Sequence, residues 1–186
     1  MLSFDLISFL TNLSIMFTFK MTEMFPFPWN QVAIAHWHRY PNPFNDNIVS
    51  EDTIERYIDK DGKLVTKRLL GKKGSVPKWA SKLFGSGLCF VVEESIVDPV
   101  NKIFITRAKN VELQSIVSIV EEVTYRQSMD NKVLTIAERK ASVEPKIPVT
   151  FVSVQSIVEK YFQEGWNKAS RGFEAILRLK FPERPS

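Results

Sequence analysis

From Phe17 the chain alternates: Phe17 and Phe19 are separated by Thr18 and Lys20, a period of two that predicts a first strand near Met16 to Thr22. The period then changes. Pro28 stands where a first helical turn accepts proline, and Trp29, Val32, Ala33 and Trp37 share one face, so a helix of about three turns is predicted from Pro28 to Arg39, stopped by Pro41. Asn47 to Ile58 and Lys63 to Leu70 read as strands around the Asp61-Gly62 hairpin signal. Further strands are predicted at Leu88 to Val97, Lys102 to Lys109, Ser115 to Gln127 and Val133 to Ala141, joined by Asp98-Pro99-Val100-Asn101 and Asp130-Asn131-Lys132. About seven strands on short links imply an α+β chain with an antiparallel meander rather than a crossover sheet.

The last third returns to helical spacing. From Ser153 to Leu179 the apolar or small positions include Val154, Ile157, Val158, Tyr161, Phe162, Phe173 and Ile176, one stripe of an amphipathic helix about 40 Å long. At the centre of that stripe stand Gly165, Ala169 and Gly172, where a packing helix normally carries Leu or Ile. Two interior glycines cost roughly 0.8–1 kcal/mol each relative to Ala, so they need a compensating use. Two uses are open: close approach of backbone to the sheet, or room for a ligand lined by Gly165, Ala169 and Gly172.

Composition narrows the class. The 186 residues, 44% apolar and 25% charged, suit one globular domain. Twenty-five basic against 21 acidic residues give +4, a bias toward an anionic partner such as a nucleic-acid or lipid phosphate. Cys89 is the sole cysteine and the histidines are two, which excludes an internal disulfide and a structural zinc site. Residues 1–15 form an apolar extension interrupted by Ser3, Asp5, Ser8, Thr11, Asn12 and Ser14 and lacking the basic start of a secretory signal, which favours a plain extension over a short membrane anchor. The compact domain is expected over 16–182.

Enzyme signatures are missing. His36 and His38 are two apart and diverge on a helix, Gly71 to Gly74 is not followed by GK[ST], and no G-x-S-x-G occurs. Glu93-Glu94 and Glu121-Glu122 are neighbours on strands and face opposite sides, so they are not acid/base dyads. The protein is expected not to be an enzyme and to need no cofactor or metal. The basic, glycine-flanked loop from Gly71, with Lys72, Lys73 and Lys78 beside Trp79, Leu83 and Phe84, reads either as a surface excursion closed by an apolar plug or as a mobile lid.

Five segments in order, RYPNPF at Arg39 to Phe44, KRLL at Lys67 to Leu70, VPKWASKLF at Val76 to Phe84, EESIVDPVN at Glu93 to Asn101 and GFEAIL at Gly172 to Leu177, resemble the PRELI-like family of mitochondrial lipid-transfer proteins, its PRELI branch more than its Slowmo-like branch. The resemblance runs from about Met16 to Leu179, and residues 1–15 have no counterpart in it. It implies a START-like fold: a curved antiparallel sheet, a long C-terminal helix over it and a lid carrying Lys73, Lys78, Trp79, Leu83 and Phe84. It further implies transfer of phosphatidic acid across the mitochondrial intermembrane space toward cardiolipin synthesis, contact with membrane surfaces, and pairing with a small helical twin-Cx9C protein. The family's phosphate-contacting basic positions fall on Arg39, Arg68, Lys72 and Lys168. Asn47, Ser75 and Tyr161 stand where relatives often carry histidine or lysine. Three other readings compete: a START-like module that binds phosphate, an acidic partner or nucleic acid without transporting it, a carrier specific for phosphatidylserine, and a START-like enzyme or hydrophobic-metabolite chaperone, the last disfavoured by the missing catalytic constellation.

Overall fold

The computed structural model describes residues 16–73, 88–112, 114–115, 117–146 and 151–182. In chain order the elements are β1 (Phe17–Phe25), α1 (Trp29–Ala35) with a 3₁₀ turn (His36–His38), β2 (Ile48–Ile58), β3 (Leu64–Lys73), β4 (Leu88–Asp98), β5 (Ile103–Asn110), β6 (Val117–Gln127), β7 (Thr135–Pro145) and α2 (Phe151–Lys180). All seven strands join one antiparallel sheet in the order β1-β7-β6-β5-β4-β3-β2.

The meander expected from sequence holds for β2 to β7 and needs one correction. β1 pairs with β7, not β2, so β1 and β2 occupy opposite edges and the segment between them must travel from one edge to the other. That segment carries α1 and Arg39. The helix expected to reach Arg39 ends as an α-helix at Ala35 and tightens into the 3₁₀ turn, because a residue preceding proline, here Tyr40, is driven out of the helical region.

α2 covers one face of the sheet and meets it through two aromatic clusters. Its C-terminal half sets Phe173 and Leu177 against Phe25, Phe27, Trp29, Val32, Phe104 and Tyr125. Its N-terminal half sets Phe162 and Trp166 against Phe17, Phe19, Ala141 and Val143. The indole of Trp29 donates to Tyr125 O at 3.2 Å and the Thr135 hydroxyl to Phe27 O at 2.8 Å, fastening the edge-to-edge segment to β6 and β7. Between the clusters α2 presents Gly165, Lys168 and Ala169, and there the core opens.

Candidate functional site

A cavity of about 430 Å³ lies between α2 and the sheet, within the range of about 300–1,000 Å³ typical of small-ligand sites. Its walls combine apolar side chains, among them Leu70, Val91, Ile119, Val123, Val143 and Phe162, with a smaller polar set. Four cations line it: Arg39, Lys72, Arg139 and Lys168. Three carboxylates line it as well: Glu93, Glu121 and Glu164.

These charges are not equivalent. Arg139 on β7 is held by Glu23 on β1, with Nε and Nη2 at 2.8 and 2.7 Å from Oε1. Glu121 accepts a hydrogen bond from the Trp166 indole at 3.0 Å, and Glu164 approaches Lys160 at 3.9 Å. Lys72, half-buried at the end of β3, and Lys168, exposed on α2, form no ion pair among the described residues. They are the cations free to meet an anion.

Beneath the cavity lies a buried charge cluster. Glu93 on β4 is 3% exposed and uses both oxygens: Oε2 accepts from Arg39 Nη2, and Oε1 accepts from Arg68 Nη2 at 2.5 Å and Nε at 3.2 Å. The cross-strand register places Arg68 of β3 directly opposite Glu93. Arg68 also donates from Nη1 to Glu51 at 2.8 Å and lies over the Trp37 ring at 5.2 Å. His36, fully buried, sets Nε2 3.3 Å from Glu93 Oε1 and Nδ1 3.4 Å from Arg39 Nη1. The neutral tautomer with hydrogen on Nε2 uses both ring nitrogens, donating to Glu93 and accepting from Arg39.

Burial is the largest influence on His36, Glu93 and Arg39. It drives the His36 pKa down to about 3, aided by Arg39, so the ring is neutral at pH 7. Burial would raise Glu93, but Arg39, then His36 and Arg68, hold its carboxyl well below the usual range. Burial would also lower Arg39, and the Glu93 carboxylate together with Tyr40, Tyr125 and Glu51 more than offsets it.

Of the residues expected from sequence to meet phosphate, the structure brings Arg39, Lys72 and Lys168 to the cavity and leaves Arg68 out of its lining. Arg68 is 3% exposed and saturated by Glu93 and Glu51, so it has no free edge to offer. The three small residues of α2 also divide. Gly165 and Ala169 line the cavity, and a Cβ at 165 would meet nothing within 4 Å among the described residues. Gly172 does not line it: a Cβ there would come within 2.6 Å of Asn42 Cγ, so its purpose is close approach. Of the lid residues, Lys73 is exposed at the end of β3, whereas Lys78, Trp79, Leu83 and Phe84 lie outside the described residues, as do Ser75 and residues 1–15. Asn47 and Tyr161 line the cavity.

The sequence alone does not single out Arg139, and it gives Glu93 and His36 only as groups outside any acid/base dyad or metal pair. Arg139 and Glu93 carry a readable signal, since each shares its strand's inward phase, Arg139 with Ala137 and Ala141 and Glu93 with Ser95. His36 carried little, because Glu93 and Arg68, which face its Nε2 at 3.3 and 3.2 Å, lie 57 and 32 residues away and only Arg39 is near in sequence.

An antiparallel sheet wrapped on a long C-terminal helix with a cavity between them defines the START-like class. A START superfamily protein from Mycobacterium smegmatis superimposes with a TM-score of 0.53 at 15% identity, covering 88% of this chain and 98% of that one. A Thermus thermophilus structure gives 0.59 at 15% identity, covering 88% and 99%. The chain belongs to the PRELI-like family, whose model matches residues 30–183. It is similar to "PRELI domain-containing protein 1, mitochondrial" of Gallus gallus, 33% identical over 86% of this chain and 75% of the relative. "Protein ups1 homolog" of Schizosaccharomyces pombe is 35% identical over 82% and 90%, and "Protein UPS2, mitochondrial" of Saccharomyces cerevisiae 31% identical over 87% and 72%.

Proposed function

We propose that the protein is a mitochondrial phospholipid carrier that encloses the acyl chains of one lipid between α2 and the sheet and holds its phosphate with Lys72, Lys168 and Arg39. The observation that carries this reading is the cavity itself, apolar along its walls and carrying two lysines without carboxylate partners among the described residues. Exposing two acyl chains of about 30 methylenes costs on the order of 20 kcal/mol at about 0.8 kcal/mol each, so transfer through water requires an enclosure. A buried phosphate without cations would cost several kcal/mol, so the enclosure requires positive charge. Glycine at 165 leaves that side of the helix open where tails would lie.

Phosphatidic acid is the cargo we assign, in the intermembrane space and in support of cardiolipin synthesis, with a small helical twin-Cx9C protein as partner. The family relation and the mitochondrial names of the relatives support that setting. No step of this activity makes or breaks a covalent bond. Phosphatidylserine is the second reading, favoured by Glu121 and Glu164 in the lining, since a carboxylate near the phosphate site suits an amine-bearing headgroup. Transfer of labelled phosphatidic acid and phosphatidylserine between donor and acceptor vesicles tests both. Wild type should move phosphatidic acid faster, and Lys72→Ala with Lys168→Ala should slow it at least about tenfold while the fold persists. Unchanged transfer by the double variant would remove the lysines from the site.

A further inference from the structure

Of the carboxylates lining the cavity, Glu93 alone is ion-paired to arginine among the described residues, and it is ion-paired to two. We propose that Glu93 is a built-in counter-ion that competes with an anionic headgroup for Arg39 and so sets how readily the cavity releases its cargo. This inference rests on the lipid-carrier reading.

The argument starts from the guanidinium of Arg39. Its Nη2 is taken by Glu93 Oε2 and its Nη1 faces His36 Nδ1, while Nε is shut away from solvent with no hydrogen-bond partner among the described residues. One edge of the arginine is therefore filled by the protein's own anion and another is left unfilled. A phosphate arriving from the cavity would share one guanidinium with a carboxylate that also lines the cavity. Two anions on one cation in a low-dielectric site repel, which weakens the loaded state relative to the empty one.

Glu93 is not needed merely to keep Arg68 in place. Arg68 has Glu51 on its other side and the Trp37 face against it. Arg39 and Arg68 against Glu51 and Glu93 balance to zero, with His36 neutral, so the empty cluster is stable without a ligand. Taking the charge off Glu93 leaves one positive charge uncompensated in this cluster, and an anionic headgroup in the cavity would answer it. A transfer protein has to let go as well as hold, and this counter-ion favours letting go.

The test loads wild type, Glu93→Gln and Glu93→Asp with labelled phosphatidic acid and follows its loss to excess acceptor vesicles, with near-ultraviolet circular dichroism as the check on packing. Glu93→Gln should release on the order of tenfold more slowly, while Glu93→Asp, which keeps the charge, should release at close to the wild-type rate. A purely structural Glu93 gives the opposite ranking, because the shorter aspartate breaks the geometry that glutamine preserves. That ranking, or equal release by all three, overturns the proposal. If Glu93→Gln does not fold, Glu51→Gln removes one charge from the same cluster at a residue outside the cavity lining. It should slow release in the same direction, and unaltered release would overturn the proposal in its turn. A wild type that loads no phospholipid at all overturns the carrier reading instead, which keeps the two failures distinct.

Discussion

Asn42 and Gly172 interlock where the proline-rich turn after Arg39 lands on α2. Asn42 Nδ2 donates to Arg39 O at 2.7 Å, and its Oδ1 accepts from the backbone N–H groups of Phe44 at 3.0 Å and Asn45 at 2.9 Å. With three hydrogen bonds fixing it, the amide cannot move aside, and a Cβ at 172 would stand within 2.6 and 2.8 Å of Cγ and Nδ2.

Gly172→Ala should therefore destabilise the protein by about 1–3 kcal/mol, although alanine is the better helix former. Urea denaturation measures this. Combined with Asn42→Ala the loss should be less than additive, because removing the amide removes the clash. Additive losses would show that the two residues do not meet.

Gly165 gives the contrasting outcome. With nothing among the described residues within 4 Å of a Cβ there, Gly165→Leu should leave stability unchanged or raise it by up to about 0.8 kcal/mol from helix propensity, while its side chain intrudes on the cavity and lowers lipid occupancy. Lipid-to-protein ratio and melting temperature, measured on the same sample, separate the two effects. Reduced stability with full occupancy would contradict the assignment.

This division of the glycines shows how far the sequence could be read. The stripe of small residues was visible because helical spacing is local, and so were the strands, whose alternation is local too. What Gly172 faces is Asn42, which reaches α2 only because β1 pairs with β7 and sends the intervening segment across the sheet. For Arg68, the ion pairing that keeps it out of the cavity lining was hidden for the same reason. Its strand phase was legible, but its pairing with Glu93 depends on the β3–β4 register, which spans a long connection.

Arg68 now carries a different expectation. A carboxylate at this position, 3% exposed, would add a third negative charge beside Glu93 and Glu51, so Arg68→Glu should fail to fold. Arg68→Met should fold with a loss of about 3–5 kcal/mol, the usual cost of leaving a buried charge without its partner. Circular dichroism and urea titration check both. A natively folded Arg68→Glu variant would contradict the buried pairing.

Acid should weaken the fold through His36 and Glu93 together. The folded His36 value of about 3 lies below its ordinary 6.5, so between those pH values the unfolded chain binds the extra proton and stability falls as pH falls, by at most about 5 kcal/mol. Glu93, held below its ordinary 4.5, adds a second loss below that pH. Urea midpoints should decline from pH 6.5 toward 4 in the wild type. In His36→Gln the part of the decline above pH 4.5 should flatten. An equally steep profile in that variant would place the titrating group elsewhere.

The carrier reading is tested most directly by mass spectrometry of the lipid that stays with the protein after incubation with mixed vesicles and re-isolation. One glycerophospholipid per chain is expected, phosphatidic acid enriched over phosphatidylcholine, with occupancy falling in the Lys72→Ala, Lys168→Ala double variant. Folded protein that retains no glycerophospholipid, or retains one regardless of headgroup and of these lysines, would contradict it.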